Sequence, residues 1–457
     1  MLETLKRHLR YTSWPIIIAM VLLMMVGIVA IRSAEQLDTS FAGFARKQII
    51  FAVMGVVGFL SMTVIPYHKI GRFAYWMFGF TLVVLTLLLV LPRALPGNAA
   101  VNWLLPDIRG AYRWVNLGVV QVQPSEFAKL SYILMLAWYM RYRDNYRSLL
   151  GLIPPFLLTI VPMGLVFLEP DLGTSLLFLP MLYFMLFMAG AKLKHLVGIV
   201  VVGSVLVFLP IPHRLPAGFD RNEKTTRANL AYWSSETADG GATLVSAAPL
   251  VKMKRHQIAR IEGWLRQDDP RIIQGKGYQL HQSKLVLGSG MVLGRGDWHE
   301  ADDYYTLLPD DHTDFIFSVI GGQWGFLGCL GVFVLFGVVF VMGVEIATVT
   351  NDPFGRLLAV GVVALLFSQI VINVGMTMGL MPITGMTLPL ISYGGSSLLV
   401  NCMALGLLVN VGQRRPILLG QKPFEYGEKR EKPPQPFGPD ARGEGPGVSG
   451  KWNRSAT

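Results

Sequence analysis

Long apolar segments recur along almost the whole of this chain of 457 residues. As helices, such segments are long enough to cross most or all of a hydrocarbon layer about 30 Å thick. Hydrophobic residues make up 52% of the chain and charged residues 15%, a profile typical of polytopic helical membrane proteins. We therefore predict an all-α polytopic integral membrane protein. Its spans, about ten in number, are predicted near Trp14–Ile31, Gln48–Ile65, Phe73–Leu91, Pro124–Met140, Leu152–Leu168, Thr174–Ala189, Leu196–Pro210, Asp314–Ile346, Leu357–Met381 and Thr387–Val411.

Basic residues between these segments indicate how the chain is oriented. If every segment spans, the bases of the short loops fall on one side of the membrane. By the positive-inside rule that side is the cytoplasm, so both termini are predicted to be cytoplasmic. This placement accounts for the formal net charge of +11 without nucleic acid as a partner.

The other side carries the longest connection, a predicted extracytoplasmic loop over residues 213–313, between spans 7 and 8. Within it, residues 229–249 are polar and small, as in a flexible insertion. Val251–Arg266 has helical spacing with one apolar and one basic face, and this helix is predicted to lie either on the membrane or on the protein's own loops. The remaining predicted divisions are a cytoplasmic N-terminus over 1–13, a transmembrane domain over 14–415 and a disordered cytoplasmic tail over 416–457.

The first outer loop contains Arg113 and leads into a span through the sequence QVQPSEFAKL. Pro124 and Glu126 at the start of that span are ordinary helix-start signals. Lys129 lies one turn further inside, where an ionisable group is costly and usually faces a cavity, a partner or a substrate. Glu126 is the predicted partner of Lys129.

Two further polar groups interrupt the apolar pattern. Asp171, in the turn EPDLGT between two spans, is predicted to cap the helix that follows it. Gln282, Ser283 and Lys284 belong to a short polar helix, followed by a glycine-rich run over 288–296. Backbone amides in such a run could approach an anion, although glycine-rich turns are common and not specific to a site.

An acidic cluster stands immediately before the eighth span, in the sequence LPDDHTDFIF. Asp310 and Asp314 are four residues apart and would share one face of a helix, where repulsion could raise one pKa or recruit a divalent cation. Such a site suits Mg²⁺ or Mn²⁺ better than zinc. Two interpretations of Asp314 stay open: it caps the span, or it takes a proton from a hydroxyl nucleophile at the membrane edge.

The last polar cluster is ISYGGSS, at residues 391–397. Asn373, Pro382 and Pro389 precede it and interrupt helix continuity. The cluster is predicted to be either a small-residue packing surface between helices or a stretch of backbone that opens onto a cavity.

These motifs occur together in a characteristic order: RWVNLG, QPSEFAKL, EPDLGT, YQLHQSKLVLGSG, LPDDHTDFIF and GLMPITGMTLPLISYGGSS. In that order, on about ten spans, they closely resemble the SEDS family, the proteins of shape, elongation, division and sporulation. The resemblance covers about residues 14–415. The stretch GYQLHQSKLVLGSG is more similar to the rod-shape branch, RodA, than to the division branch, FtsW.

The resemblance implies a peptidoglycan glycosyltransferase that polymerises lipid II outside the cytoplasmic membrane and releases undecaprenyl diphosphate. It also implies a class B penicillin-binding protein, a transpeptidase, as partner. The essential acid of the HTDF motif corresponds to Asp314, as the base for the acceptor sugar's 4-hydroxyl. A divalent cation, Mg²⁺ or Mn²⁺, would be held at Asp310, where the family more usually has Glu. The implied substrate-binding residues are Arg113, Glu126, Lys129, Asp171, Gln282, Ser283 and Lys284.

Other functions stay open at this point. A division-septum polymerase of the FtsW kind would carry the same motifs. A lipid II flippase would also need a lipid-accessible polar cavity with ionisable residues. A generic secondary transporter is less favoured, because no clear internal repeat relates the two halves of the chain and the acids cluster at one outer boundary.

Overall fold

The computed structural model describes most of the transmembrane part of the chain. The described residues are 13–37, 43–108, 111–118, 120–143, 145–208, 277–296 and 313–414, with 260, 263–265, 267, 273 and 275 of the long loop. Asp310, the insertion over 229–249, most of Val251–Arg266 and the tail over 416–457 lie outside the described residues.

The described chain is mostly helical. Its helices are α1 (Trp14–Leu37), α2 (Phe44–Val64), α3 (Tyr67–Arg72), α4 (Ala74–Ala94), α5 (Ala99–Leu104), α6 (Pro124–Met140), α7 (Leu149–Leu168), α8 (Leu172–Met188), α9 (Leu193–Phe208), α10 (Tyr278–Ser289), α11 (Ile316–Val349), α12 (Pro353–Thr377) and α13 (Gly395–Gln413). A short antiparallel hairpin, β1 (Val115–Asn116) and β2 (Gln121–Val122), precedes α6.

Each of the ten predicted apolar segments overlaps one of these helices. Among the described residues, seven helices are long and apolar enough to cross a membrane: α1, α2, α4, α7, α11, α12 and α13. The other three, α6, α8 and α9, have 17, 17 and 16 residues, somewhat short for a full crossing. The predicted all-α polytopic fold is confirmed, and the number of ten spans stays a prediction.

The two C-terminal helices form the centre of the bundle. In α12 and α13, 78% and 83% of the residues in the most apolar stretch are buried, against 22% in α2 and in α4. The outer helices expose apolar side chains, as lipid requires, whereas the central helices bury amides such as Gln369, Asn373, Asn401 and Asn410. Buried polar groups in spans are retained where other helices, a cavity or a substrate can satisfy them.

The last predicted span, Thr387–Val411, begins too early. Residues 378–394 are not helical, and α13 begins only at Gly395. Proline in this stretch removes backbone donors, and the amide of Asn373 on α12 satisfies the carbonyl of Met386 at 2.6 Å. Several residues of this stretch line the cavity described below, which favours the interpretation of backbone opening onto a cavity.

The glycine-rich run after α10 packs into a break in α11. Gly325 there has φ 63° and ψ −161°, a conformation open essentially to glycine. The amides of Phe326 and Leu327, freed by the break, donate to carbonyls of the run at 2.8 and 3.1 Å. In return, the amides of Arg295 and Gly296 donate to carbonyls of α11 at 3.1 and 3.2 Å. The run is used for packing against the helix, and these amides are not presented to an anion.

A network around Asn410 closes the end of the bundle opposite the cavity. The Asn410 amide donates to the carbonyls of Met62 and Ile65 and accepts from the backbone amide of Tyr67 at 3.3 Å and from Arg414 Nη1 at 2.6 Å. Asn410 thereby joins the end of α13 to the turn between α2 and α3. We call these residues the Asn410 network.

Asp352 is the second polar centre of that end. It caps α12 by accepting from the backbone amide of Gly355 at 2.8 Å. The same oxygen, Oδ2, accepts from the Tyr67 hydroxyl at 3.2 Å and lies 3.2 Å from Nε2 of His68. Burial alone would raise the pKa of Asp352, but the contacts with His68, Gly355 and Tyr67 prevail and hold it below its usual range.

Candidate active site

A polar cavity of about 550 Å³ opens among α6, α8, α12 and the residues around 384–397. Five of the residues predicted from the sequence line it, from four separate parts of the chain: Arg113, Glu126, Lys129, Asp171 and Asp314. Their sequence motifs are therefore brought to one place by the fold.

Lys129 and Glu126 form an ion pair inside α6. Lys129 Nζ lies 2.8 Å from Glu126 Oε2, and the two side chains are 1% and 8% exposed. The contact has the distance of an ion pair without the geometry of a hydrogen bond, so Glu126 Oε2 has no hydrogen-bond partner among the described residues. The predicted pairing is confirmed, and a role of either residue in substrate binding stays a prediction.

Asp171 lies in the turn between α7 and α8, and its two carboxylate oxygens accept hydrogen bonds from different partners. Oδ1 accepts from the backbone amide of Thr174 at 3.1 Å, which confirms the predicted helix cap. Oδ2 accepts from Gln123 Nε2 at 3.1 Å and from Ser125 Oγ at 3.4 Å. These bonds tie the turn to the start of α6, and the carboxylate also lines the cavity.

Arg113 holds the end of α7. Its Nε donates to the carbonyl of Glu169 at 2.7 Å, and its Nη2 donates to the carbonyl of Pro170. A cation at this position offsets the negative end of the helix dipole. Arg113 also lines the cavity, and its other N–H groups have no partner in the part of the chain that the structure describes, so they could bind an anionic ligand.

The side chain of Glu169 was missed by the sequence analysis. It is 2% exposed, and neither carboxyl oxygen has a hydrogen-bond partner among the described residues. Burial, assisted by the charge of Asp171 and opposed by Arg113, raises the pKa of Glu169 to about 9. At neutral pH this side chain is a neutral acid. The sequence feature that could have identified Glu169 is the presence of two acids in EPDLGT, since only one of them can cap the helix.

Asp314 is half-buried just before the start of α11, and a hydrogen bond to its backbone carbonyl fixes its position. Asn373 Nδ2 donates to the carbonyl oxygen of Asp314 at 2.9 Å, as well as to that of Met386. A Cβ added at Gly385 would lie 3.4 Å from Asp314 Oδ2 and 3.1 Å from Arg260 Nη1. The carboxylate of Asp314 and the guanidinium of Arg260 therefore both lie beside Gly385, whose φ of 73° favours glycine.

Arg260 was not singled out from the sequence as a site residue. It belongs to the predicted amphipathic segment Val251–Arg266, on the face opposite the apolar residues. The basic face was the only signal, and nothing in the local pattern indicates that it reaches Asp314, about fifty positions away.

Charges in the cavity lining balance among the described residues. The bases are Arg113, Lys129 and Arg260, and the carboxylates are Glu126, Asp171 and Asp314. An anionic diphosphate entering here would have to compete with the carboxylates for these bases. Gln369 also lines the cavity, and its buried Oε1 has no hydrogen-bond partner among the described residues, which makes it a candidate acceptor for a hydroxyl or amide of a sugar.

Gln282, Ser283 and Lys284 lie on α10, outside the set of described residues that line this cavity. Ser283 Oγ shares a hydrogen bond of 2.6 Å with Ser318 Oγ and donates to the carbonyl of Thr377 at 3.0 Å. Lys284 Nζ donates to a glutamine side chain of the long loop at 2.9 Å. These contacts hold α10 against its neighbours, and substrate binding by the three residues stays a prediction.

The described residues do not test the predicted divalent cation. The described residues contain no group of three or more His, Cys, Asp or Glu side chains that could hold a metal ion, and Asp310 lies outside them. Mg²⁺ keeps several waters and needs only one or two carboxylates, so Asp314 with Asp310 would suit it. The cation stays a prediction.

A protein-family model described as "Cell cycle protein", named for FtsW, RodA and SpoVE, matches residues 7–223 and 225–416. The chain belongs to this family. The resemblance to the SEDS proteins inferred from the motifs is thereby confirmed.

Named members of the FtsW/RodA/SpoVE family are similar to this chain along most of their length. Peptidoglycan glycosyltransferase RodA of Treponema pallidum (strain Nichols) is 33% identical over 407 residues, which cover 81% of this chain and 89% of that protein. Probable peptidoglycan glycosyltransferase FtsW of Trichlorobacter lovleyi is 30% identical, with 90% and 96% covered. Peptidoglycan glycosyltransferase MrdB of Escherichia coli (strain K12) is also 30% identical, with 90% and 96% covered.

Solved structures of family members share the fold. A chain from a structure of a peptidoglycan synthase complex, described as coordinating polymerization and crosslinking, has a TM-score of 0.67 and 25% identity, covering 89% of this chain and 99% of that chain. The rod shape determining protein RodA of Thermus thermophilus has a TM-score of 0.58 and 25% identity, covering 89% and 98%. The chain is thus a multi-pass membrane protein of the RodA type.

Proposed function

We propose that this chain is a peptidoglycan glycosyltransferase of the RodA kind, which polymerises lipid II into glycan strands for cell-wall elongation and cell shape. The observation that carries this proposal is the polar cavity, because it joins Asp314 to the bases Arg113, Lys129 and Arg260 inside a membrane protein. A lipid-linked sugar diphosphate suits this site, because its anionic head can contact the bases of the cavity while its apolar tail stays in the membrane. The relatives named peptidoglycan glycosyltransferase support the same reaction.

In the proposed reaction, Asp314 takes the proton of the acceptor sugar's 4-hydroxyl. The freed oxygen attacks C1 of the donor sugar, and the bond from C1 to the diphosphate oxygen breaks. Its electron pair leaves with undecaprenyl diphosphate, whose charge is stabilised by Arg113 and Arg260. Lys129 contributes once the diphosphate competes with Glu126 for it. A divalent cation bound at Asp310 and Asp314 would supply further neutralisation of the diphosphate.

The proposed setting follows the orientation predicted from the short loops. The cavity would face the extracytoplasmic side of the bacterial cytoplasmic membrane, with both termini in the cytoplasm. A class B penicillin-binding protein is the proposed partner, which would crosslink the strands made here. The likeness to a chain of a peptidoglycan synthase complex supports this pairing.

The deciding experiment is glycan formation from labelled lipid II by the purified chain and its transpeptidase partner, with Mg²⁺, Mn²⁺ or chelator. Asp314→Asn should reduce polymer at least a hundredfold, with an unchanged unfolding midpoint. Asp352→Asn is the matched control, since it makes the same change at the opposite end, and it should keep polymerisation. If the wild type makes no polymer but moves lipid II across a vesicle membrane, the chain is a transporter and the proposal is wrong.

A further inference from the structure

Two arginines at the far end of α6, opposite the cavity, are stacked on aromatic rings. The Cζ atom of Arg141 lies 3.2 Å from the centroid of the Trp138 ring and 4.6 Å from that of Tyr142. The Cζ atom of Arg143 lies 4.1 Å from the ring of Tyr139, and its Nη1 donates to the Tyr139 hydroxyl at 3.0 Å. Stacking of this kind orients a guanidinium without neutralising it.

Among the described residues, neither Arg141 nor Arg143 has a carboxylate within ion-pair distance. With one face of each group against a ring, its N–H donors lie at the edge of the guanidinium plane. Arg143 uses Nη1 for the Tyr139 hydroxyl, and the guanidinium edge has the fork geometry that binds phosphate through two parallel hydrogen bonds.

Neighbouring helices add to the same surface. Tyr75, at the start of α4, lies close enough to Arg141 and Arg143 for an electrostatic interaction with both. A Cβ added at Gly71 of α3 would lie 2.6 Å from the Trp138 ring, so α3 packs here. Arg72, next in the chain, is exposed.

Two aromatic side chains at this end of the bundle are strongly exposed. Trp76 is 80% exposed and Tyr142 is 75% exposed. Exposed Trp and Tyr at the end of a span lie at the level of the lipid headgroups. The surface therefore combines a phosphate-binding edge with an amphipathic aromatic rim, which suits a lipid headgroup better than a free anion. We call Arg72, Tyr75, Trp76, Arg141 and Arg143 the arginine patch.

We propose that the arginine patch is a binding site for the phosphate of an anionic membrane phospholipid, in the leaflet opposite the cavity. The exposed Lys192, just before α9, and Lys194, in the first turn of α9, lie at the same end of the bundle and supply the comparison. They carry equal charge, but no aromatic ring lies under either of them among the described contacts. If bases were attracted to an anionic surface only through their charge, the lysine pair and the arginine pair would contribute equally to lipid binding. If the stacked arginines form a specific site, the arginine pair would contribute more.

The test is a lipid titration of the full-length purified chain in neutral detergent, with short-chain phosphatidylglycerol, short-chain phosphatidylcholine or inorganic phosphate as the probe. Arg141→Gln with Arg143→Gln should weaken phosphatidylglycerol binding roughly tenfold to thirtyfold. Lys192→Gln with Lys194→Gln, the matched control, should change it less than about twofold.

A third variant separates charge from guanidinium geometry. Arg141→Lys with Arg143→Lys keeps the charge and the fold but removes the planar donors, and it should still lose most of the affinity. Equal losses in the glutamine variants of both pairs would overturn the proposal, since that is diffuse attraction. Equal binding of phosphatidylcholine, or of inorganic phosphate, would also overturn it.

Discussion

The polar groups around Asn410 and Asp352, at one end of the helix bundle, and those around the cavity, at the other end, differ in how far hydrogen bonds satisfy them. At the end opposite the cavity, the Asn410 amide makes four hydrogen bonds, and Asp352 Oδ2 accepts from both Tyr67 and Gly355. At the cavity end, both carboxyl oxygens of Glu169, Gln369 Oε1 and Glu126 Oε2 lack hydrogen-bond partners among the described residues.

This difference separates structure from function. An unsatisfied buried polar group costs free energy, so a protein retains several of them together only where something outside the chain completes their bonds. The satisfied end holds the helices in register. The unsatisfied end is arranged for a ligand that carries its own donors, acceptors and charges.

Breaking the Lys129–Glu126 pair should produce the largest effect. Lys129→Met leaves the Glu126 carboxylate buried and unpaired, which should lower the free energy of unfolding by about 3–5 kcal/mol. Polymerisation of lipid II should fall at least a hundredfold. Thermal unfolding in detergent and the polymerisation assay measure the two losses separately.

A double variant distinguishes the two losses. Glu126→Gln with Lys129→Met removes both charges, so stability should return while activity should not. Recovery of polymerisation in the double variant would mean that the pair is structural only.

Asn410→Ala should be the next largest change and should act on stability alone. It leaves the carbonyls of Met62 and Ile65 and the amide of Tyr67 unpaired, at a cost of roughly 2–3 kcal/mol. Asn401→Ala on the same helix is the control, because Asn401 donates a single bond, to Ser397, and should cost less. Activity per folded molecule should be unchanged by Asn410→Ala, and a specific loss of turnover would break the distinction between the two ends.

The two buried carboxyls at opposite ends should show opposite pH dependence, the smallest of the expected effects. Folding raises the pKa of Glu169 from 4.5 to about 9, so the folded state binds the extra proton between those values and stability falls as pH rises. Folding lowers the pKa of Asp352, so its contribution is present above the ordinary aspartate range and is lost as pH falls through the folded value.

Substitution should therefore move the unfolding midpoint in opposite directions at neutral pH. Glu169→Gln should raise it and remove the alkaline decline, while Asp352→Asn should lower it and converge with the wild type in acid. We expect shifts of about 2–4 °C, the size that about 1 kcal/mol produces in domains of 150–250 residues. If both substitutions moved the unfolding midpoint in the same direction, the contacts around Glu169 and Asp352 would not shift their pKa values in opposite directions.

The sequence predicted the helices because lipid imposes one solution on apolar segments. It predicted the Glu126–Lys129 pair because residues three apart share a helix face. The non-helical stretch at 378–394 was only half recognised, since its backbone is satisfied by Asn373, a partner on another helix. Such partners are fixed by tertiary packing and leave no local pattern.

The candidate site was predictable to a similar degree. Asp314 and Asp171 stood out as acids at membrane edges, where charge is conspicuous. Arg260 and Glu169 did not, because a base in a long loop and an acid in a turn are ordinary in sequence, and only their burial or proximity makes them informative. The glycine-rich run was interpreted as a potential anion site, since the break in α11 that it fills cannot be seen in the pattern.

That break also has a consequence for how the protein is made. A helix interrupted at Gly325 would expose bare amides and carbonyls during insertion, each costing several kcal/mol in lipid. The residues that complete those bonds, around 291–296, precede α11 in the chain and leave the ribosome first. The segment whose hydrogen bonds satisfy the break at Gly325 is thus already synthesised when α11 leaves the ribosome. The order of translation therefore makes these partners available before the interrupted helix enters the membrane.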